Sequence, residues 1–498
     1  MTKDWFAKWA MYSPEKVAVK LADTGQTMTY CQLNEWSNRL CHYFTDQYQL
    51  QSGDRIAILA ENSLEHLLLF GVAQKTGCIL VPLNYRLATA EIDYLLGNAQ
   101  PKLVLYDATF AEKIKATDQF GQIAHHWGME DIQDFCQRTS TNEQHNYYPA
   151  TLVNKDAPIF LLYTSGTTGF PKGAIYTHKM LFWNSVNTAI STLINTESRT
   201  INCMPLFHTG GWNVLLTPFL HHGGYACLLK NFDAATLLRL MESEIPTVFM
   251  GVPTMLKMMA DESHFDDADL SSLHYVIVGG EPMPIPLIEK WHEKGVFIRQ
   301  GFGMTEAGPN LTSLHQDDAI AKKGSIGRPN FYVDIKIVDE TGAEVLPTQS
   351  GELLLRGPMV TPGYWQNPKA TDDALKDDWF HTGDRVRMDE DGYLYVVDRI
   401  KNMFISGGEN VYPAEVERVL VEHPAVTQVA VVGVPDDKWG EVGKAFLVAT
   451  NKSLTAADII AFCQDQLATF KVPKHIVFLD ELPKNGTGKI DKKMLRIH

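Results

Sequence analysis

Short apolar runs recur through the first two-thirds of the chain, at 55–59, 78–83, 102–106, 159–163, 225–229, 247–250, 275–278 and 296–299. Many carry β-branched residues on both faces, the pattern of strands covered on both sides. Helical-period stretches such as 63–75 and 233–244 lie between them. This alternation predicts an α/β architecture. Near residue 325 the texture changes. Segments 333–338, 351–356 and 392–397 read as antiparallel strands, with turns at Glu340-Thr341-Gly342 and Asp391-Gly392. Beyond Asp398 the pattern predicts a small α+β unit: an amphipathic helix at 414–422, strands at 426–432 and 444–448, and a helix at 456–468. A boundary falls at 398–401. No internal repeat or low-complexity linker interrupts the chain.

Composition narrows the function classes. At roughly 100–200 residues per domain, 498 residues make two to four structural units. A net charge of −15 argues against a general nucleic-acid binder, although local nests of N–H groups can still hold small anions. Seven scattered cysteines without a CxxC pair point to reduced thiols and a cytoplasmic setting. The N-terminal stretch lacks the apolar core of a signal peptide. No apolar run approaches the roughly 20 residues of a membrane span. Loose membrane contact stays compatible with this composition.

Candidate chemistry begins at 163–173, Tyr-Thr-Ser-Gly-Thr-Thr-Gly-Phe-Pro-Lys-Gly, directly behind the apolar run 158–162. Gly166 and Gly169 let backbone N–H groups turn inward without a Cβ clash. Thr164, Ser165, Thr167 and Thr168 add hydroxyl donors, and Lys172 adds a charge. Many short donors converging on one concavity suit a polyphosphate tail. The order is not that of a Walker A loop, because Pro171 precedes the lysine and Gly173 follows it. Taken alone, such a cluster is commonly just a loop. A second loop, Pro483-Lys484-Asn485-Gly486-Thr487-Gly488-Lys489-Ile490, ends like a Walker A but has Pro483 where the first glycine belongs. By itself it reads as a surface turn.

Six segments in order change that weighting. YTSGTTGFPKG at 163–173 is followed by PLFHTGG at 205–211 and GFGMTEAG at 301–308. HTGD at 381–384, DRIKNMFISGGENVYPAEVE at 398–417 and LPKNGTGKI at 482–490 complete the set. Together they resemble the adenylate-forming superfamily of acyl-CoA synthetases, aryl-CoA ligases, luciferases and peptide-synthetase adenylation domains. SGGENVYP and PDDKWGE look most like acyl-CoA synthetases. The resemblance implies stacked α/β sheets plus a distorted β-barrel in a large domain (1–397). It also implies a hinge (398–402) and a small, mobile α+β domain (403–498).

The same resemblance implies the chemistry. A carboxylate attacks the α-phosphate of MgATP, giving acyl-AMP and pyrophosphate; the thiol of CoA then takes the acyl group. Thr164, Ser165, Gly166, Thr167, Thr168, Gly169 and Lys172 would grip the outer phosphates. Thr305 would bond the α-phosphate, and Glu306 would ligate Mg²⁺. Gly280, Glu281 and Pro282 would wall the adenine on one side and Phe302 on the other. Asp384 would accept from the ribose hydroxyls, beside Arg399. Lys489 would neutralise the attacking carboxylate. Lys401 would be the hinge residue about which the small domain rotates between half-reactions.

For the thiol step, Ser406, Gly407, Gly408 and Glu409 would line a channel for pantetheine. Trp439, Phe470 and Lys474 would meet the CoA nucleotide, although Val472 stands where some relatives are basic. His208 would gate the acid channel. The acyl pocket would draw on His208, Gly210, Gly211, Trp212, Val278, Gly279 and Gly303. Neither 209–213 nor 278–280 carries a cation for a second carboxylate, so the expected acid is apolar, medium- or long-chain first and aryl or branched second. Other readings are a ligase loading a carrier protein and a non-catalytic nucleotide-binding homologue. Loss of Lys489 or Glu306 would mark the latter, and both are present.

Overall fold

The computed structural model describes residues 4–139, 143–149, 152–164, 171–280, 283–406, 409–436, 439–451, 453–464, 466–467, 469–485 and 488–496. The chain forms two compact units: residues 1–334 with 355–380, and residues 335–354 with 381–498. The fold is mixed α/β.

In the larger unit, the sheet that carries 163–173 has six strands. Their order is His125–Gly128, Leu103–Tyr106, Arg55–Leu59, Ile79–Pro82, Pro158–Thr164 and Lys172–Thr177. All neighbours are parallel except the last pair. Ile56 and Ile58 enter one core cluster while Ala57 and Leu59 enter another. Phe160 and Leu162 divide from Leu161 in the same way. Both faces are covered, and this is why the strands read as unbroken apolar runs. The helix Leu64–Thr76 is buried along its whole length, and its central residues 67–73 are apolar all round.

A second sheet sets the strands Val248–Gly251, Tyr275–Val278 and Ile298–Phe302 parallel. It is extended by two short antiparallel strands, Thr312–Ser313 and Arg328–Pro329. A third sheet pairs Val17–Leu21 with Tyr225–Leu228 in parallel, although 200 residues of chain and more separate them. Apolar patterning at 17–21 is weak, and that strand was not among the predicted ones.

In the smaller unit, the strand Trp379–Met388 pairs antiparallel with Leu394–Arg399, placing Asp384 opposite Arg399. Its second sheet is centred on the long hairpin Val426–Asp436 with Gly440–Ala449. Val429 and Val431 face one cluster with the helix residues Val416 and Leu420; Ala430 and Val432 face another with Leu482 and Leu495. Lys492 Nζ pairs with Glu417 at 2.6 Å, and Glu417 also accepts from the Val431 N–H at 2.6 Å. Desolvation pushes the Glu417 carboxyl above its usual range, with Lys492 opposing. Lys492→Met removes that counter-charge. The expected cost is about 2 kcal/mol in the smaller unit, read by urea unfolding, because a partly buried carboxylate loses its partner.

Candidate active site

Thr164 stands opposite Lys172, and Tyr163 opposite Gly173, in the antiparallel pair that flanks 165–170. The motif at 163–173 is therefore a hairpin connection. A Walker A loop needs a strand-to-helix turn, so the different residue order goes with a different backbone. Ser165, Gly166, Thr167, Thr168 and Gly169 lie outside the described residues. Both ends of the hairpin are described: Thr164 reaches Glu306, and Lys172 reaches Tyr364, which bonds the same carboxylate. Thr164 Oγ1 donates to Glu306 Oε1 at 3.1 Å, and the Tyr364 hydroxyl donates to the same oxygen at 3.0 Å. Lys172 Nζ stands 5.2 Å from the centre of the Tyr364 ring. Three residues singled out from two distant motifs thus meet around a fourth.

That fourth residue, Tyr364, was missed in the sequence. It arrives because 361–365 runs beside the strand Lys172–Thr177. The Trp365 N–H donates to the Gly173 carbonyl at 2.7 Å and the Ile175 N–H to the Gly363 carbonyl at 3.1 Å. The Thr361 N–H donates to the Glu306 carbonyl at 2.7 Å, and Thr361 Oγ1 to the Ile175 carbonyl at 2.7 Å. Burial first, then the Glu306 charge, raises the Tyr364 pKa and keeps the phenol a donor. No periodicity marks this stretch; the only signal was an aromatic pair behind Pro362-Gly363.

Among the described residues no group of three or more His, Cys, Asp or Glu could hold a metal ion. The donors gathered at Glu306 are all oxygens: one carboxylate and the hydroxyls of Thr164 and Tyr364. This set fits Mg²⁺, a hard cation usually held through one or two carboxylates, with substrate phosphates and water completing the shell.

The strands Tyr275–Val278 and Ile298–Phe302 run parallel with Val278 opposite Gln300. Gly279, Gly280 and Phe302 therefore sit at neighbouring carboxyl ends of parallel strands, where open α/β sheets take their ligands. Glu281 and Pro282 lie outside the described residues. Thr305 opens the short turn Thr305–Ala307. Gly303 has a packing reason to be glycine: a Cβ there would strike the Pro309 carbonyl oxygen.

Around 205–211, the buried Asn62 holds the backbone from outside the motif. Its Oδ1 accepts from the Leu206 N–H at 2.8 Å, and its Nδ2 donates to the carbonyls of Met204 at 3.0 Å and Leu229 at 3.2 Å. Asn62→Ala leaves those groups unpaired. We expect a loss of about 2 kcal/mol in thermal unfolding. The His208 ring leans on Phe207 with centroids 4.6 Å apart. Gly210–Val214 forms a single π-turn, a feature often found at functional sites. A Cβ on Gly210 would meet only Met204 Cε, at 3.7 Å, whereas one on Gly211 would strike the Pro205 carbonyl oxygen. Trp212 is fully buried, packs on Phe160 and Phe70, and donates to the Leu206 carbonyl at 2.6 Å. It lies in the core and supports the segment from beneath.

In the smaller unit, Arg399 Nε donates to Asp384 Oδ1 at 3.1 Å, and Asp384 is only 3 % exposed. Glu352 fixes the turn before it, bonding His381 Nδ1 at 3.0 Å and accepting from the Gly383 N–H at 3.0 Å. Asp398 organises the 398–402 segment: its Oδ1 accepts from the Arg399 N–H at 2.6 Å and Asn402 Nδ2 at 3.3 Å, and its Oδ2 from the Ala414 N–H at 2.8 Å. The side chain of Lys401 is outside the description. Ser406 is buried opposite Gly440. Gly407 and Gly408 are outside the described residues, and so is the side chain of Glu409. Lys474 Nζ lies over the Trp439 ring at 4.7 Å, so these two candidates share one surface. Phe470 is half-buried against the core that also takes Val472.

Lys489 is exposed on a tight turn. The Asn485 N–H donates to its carbonyl at 2.8 Å, Lys489 N–H donates to Asn485 Oδ1 at 3.2 Å, and Asp491 N–H donates to the Pro483 carbonyl at 2.8 Å. Gly488 takes φ +85°, which favours glycine there.

The AMP-binding enzyme family model matches residues 6–365, and the AMP-binding enzyme C-terminal domain model matches residues 415–489. Feruloyl-CoA synthase of an Amycolatopsis species is 38 % identical over 493 residues, covering 99 % of this chain and 98 % of that one. The long-chain-fatty-acid–CoA ligase FadD13 of Mycobacterium tuberculosis is 35 % identical over 491 residues, covering 98 % and 96 %. The o-succinylbenzoate CoA synthetase of Bacillus subtilis has been solved with its acyl-adenylate intermediate (TM-score 0.88, 31 % identity) and with ATP and a magnesium ion (TM-score 0.87, 30 %). Both match 99 % of this chain and 98 % of that one.

Proposed function

Because the chain belongs to the AMP-binding enzyme family, we propose that it activates a carboxylic acid with MgATP and passes the acyl group to CoA. The observation that carries this reading is the meeting of Thr164, Lys172 and Glu306 around Tyr364. A polyphosphate needs cations and donors at one place, and these residues supply them. In the first half-reaction a carboxylate oxygen bonds to the α-phosphorus and the bond to pyrophosphate breaks. Both reactants are anionic, so positioning and charge stabilisation dominate the barrier. Lys172 and the 163–173 backbone hold the leaving pyrophosphate. Thr305 bonds the α-phosphate, Asp384 and Arg399 orient the ribose, and Gly279 and Gly280 with Phe302 flank the base. Glu306 would hold Mg²⁺, which would supply charge neutralisation when bound. Lys489 offsets the charge of the attacking carboxylate.

In the second half-reaction the CoA thiolate bonds to the acyl carbon and AMP leaves with both electrons of the broken C–O bond. Lys401 is the proposed hinge, with 403–498 moving between the two steps and 406–409 replacing Lys489. The pairing of Lys474 with Trp439 supports CoA as the acceptor. Gly408→Leu is expected to block thioester synthesis while acid-dependent pyrophosphate exchange stays within about twofold, since a side chain closes the proposed channel without touching the ATP groups. Undiminished acyl-CoA formation would reject the channel.

The proposed acid has no charge besides its reacting carboxylate. A medium- or long-chain fatty acid is the first reading, supported by the space at Gly210 and the absence of a cation in 209–213 and 278–280. An aryl acid is the second, favoured by the 38 % identity to feruloyl-CoA synthase. Acid-dependent exchange of pyrophosphate into ATP tests the activity; no exchange with any acid would reject it.

A further inference from the structure

The helix His178–Thr192 is inverted with respect to solvent. Beyond Met180 and Leu181, which enter the apolar core, its inward face is polar: Asn184, Ser185, Asn187 and Thr188 are fully buried and Thr192 nearly so. Its outward face is apolar. Phe182 is 44 % exposed, Ile190 47 % and Leu193, just past the helix end, 70 %. Trp183, Val186 and Ala189 are half-buried between them. These positions recur every three to four residues and form one stripe. An ordinary surface helix turns such a stripe inward.

Hydrogen bonds on the inner face fix this orientation. Asn184 Nδ2 donates to the Asn213 carbonyl at 2.7 Å, Asn184 Oδ1 accepts from the Asn310 N–H at 3.3 Å, and Asn310 Nδ2 donates to Thr188 Oγ1. The Tyr332 N–H donates to Asn187 Oδ1 at 3.0 Å. The last bond brings more aromatic surface to the stripe. Trp183 meets Tyr332 with centroids 4.7 Å apart, Tyr332 meets Phe331 at 5.0 Å, and Phe331 is 75 % exposed.

We propose that this face is a homodimer interface, the stripe of one copy packing across a two-fold axis on the same stripe of a second copy. The proposal is independent of the ligase reading. Exposure supports it: Phe182, Ile190, Leu193, Phe331 and Tyr332 are each between 39 % and 75 % exposed, a row of large apolar side chains of the kind an interface core buries. Charge supports it too. Residues 178–193 contain no Asp, Glu or Arg, and their one lysine, Lys179 in the first turn, lies 4.0 Å from Asp156. Charge depletion with aromatic enrichment marks interface cores, and the apolar stripe beyond Lys179 is complementary to itself. A bilayer is a poorer occupant. Membrane-surface helices flank their apolar face with Lys and Arg, and here the other face is Asn, Ser and Thr turned into the protein.

Sedimentation velocity of the full chain over a micromolar dilution series tests this. The expected result is a dimer that dissociates on dilution. Phe182→Glu and Ile190→Glu should each raise the dissociation constant more than about tenfold while acid-dependent pyrophosphate exchange is kept. Leu193→Ser, outside the helix, should weaken the dimer in the same direction and serves if the glutamate variants fail to fold. A wild-type chain that stays monomeric, or a dimer indifferent to all three changes, overturns the proposal. So does binding of the monomer to phosphatidylcholine vesicles that Phe182→Glu abolishes, which would assign the face to lipid.

Discussion

Lys489→Ala should lower acid-dependent pyrophosphate exchange by at least about a hundredfold while leaving thioester formation from supplied acyl-AMP within a few-fold. Removing one preorganised charge donor from a developing anion typically costs two to three orders of magnitude. The structure supports a dedicated role for this side chain. Its turn is closed on both sides by Asn485 and by the Asp491–Pro483 bond, and the helix that follows is tied down by the Lys492–Glu417 pair. So much local anchoring for one exposed lysine suits a group that must be delivered in a fixed geometry. Because the lysine is exposed, its removal should leave stability unchanged. Equal loss of both half-reactions would contradict the separation of the two steps.

Glu306→Gln should cost adenylation about as much, with partial recovery at high magnesium. The substitution keeps the shape and an acceptor oxygen, so Thr164 and Tyr364 still have a partner. What disappears is the negative charge that a hard cation requires. A rise in the magnesium concentration for half-maximal exchange, with thermal stability unchanged, would separate the metal role from a structural one. Tyr364→Phe provides the contrast. It deletes one hydrogen bond to the carboxylate and retains the ring beneath Lys172, so a loss of about threefold to tenfold is expected. If Glu306→Gln is as active as wild type at limiting magnesium, the carboxylate does not hold the ion.

Legibility of the fold followed burial. The strands at 55–59, 79–82 and 103–106 were readable because both faces meet apolar cores, leaving an unbroken hydrophobic signature. The strand Lys172–Thr177 was not, since it belongs to a hairpin whose connection draws the eye as a motif. The helix His178–Thr192 leaves Phe182 and Ile190 outside, because beyond Met180 and Leu181 a hydrogen-bonded Asn network takes the place of apolar packing on its inner side. At the site, Thr164 and Glu306 were singled out through the resemblance their motifs carry, and the structure brings them into hydrogen-bond contact. Their supports were not: Tyr364, Asn62, Glu352 and Asp398 act through pairings across distant chain segments that leave no local mark. Trp212 shows the converse, a motif residue whose place is the core.

The central claim is that this chain joins an apolar acid to CoA through an adenylate. Mass spectrometry of the products formed from MgATP, CoA and a mixed panel of straight-chain, branched and aryl acids tests it most directly. The account predicts one dominant acyl-CoA, with AMP and pyrophosphate in equal amounts, and the mass of the thioester names the acid. ATP left intact with every acid, or cleaved to ADP and phosphate, would contradict it.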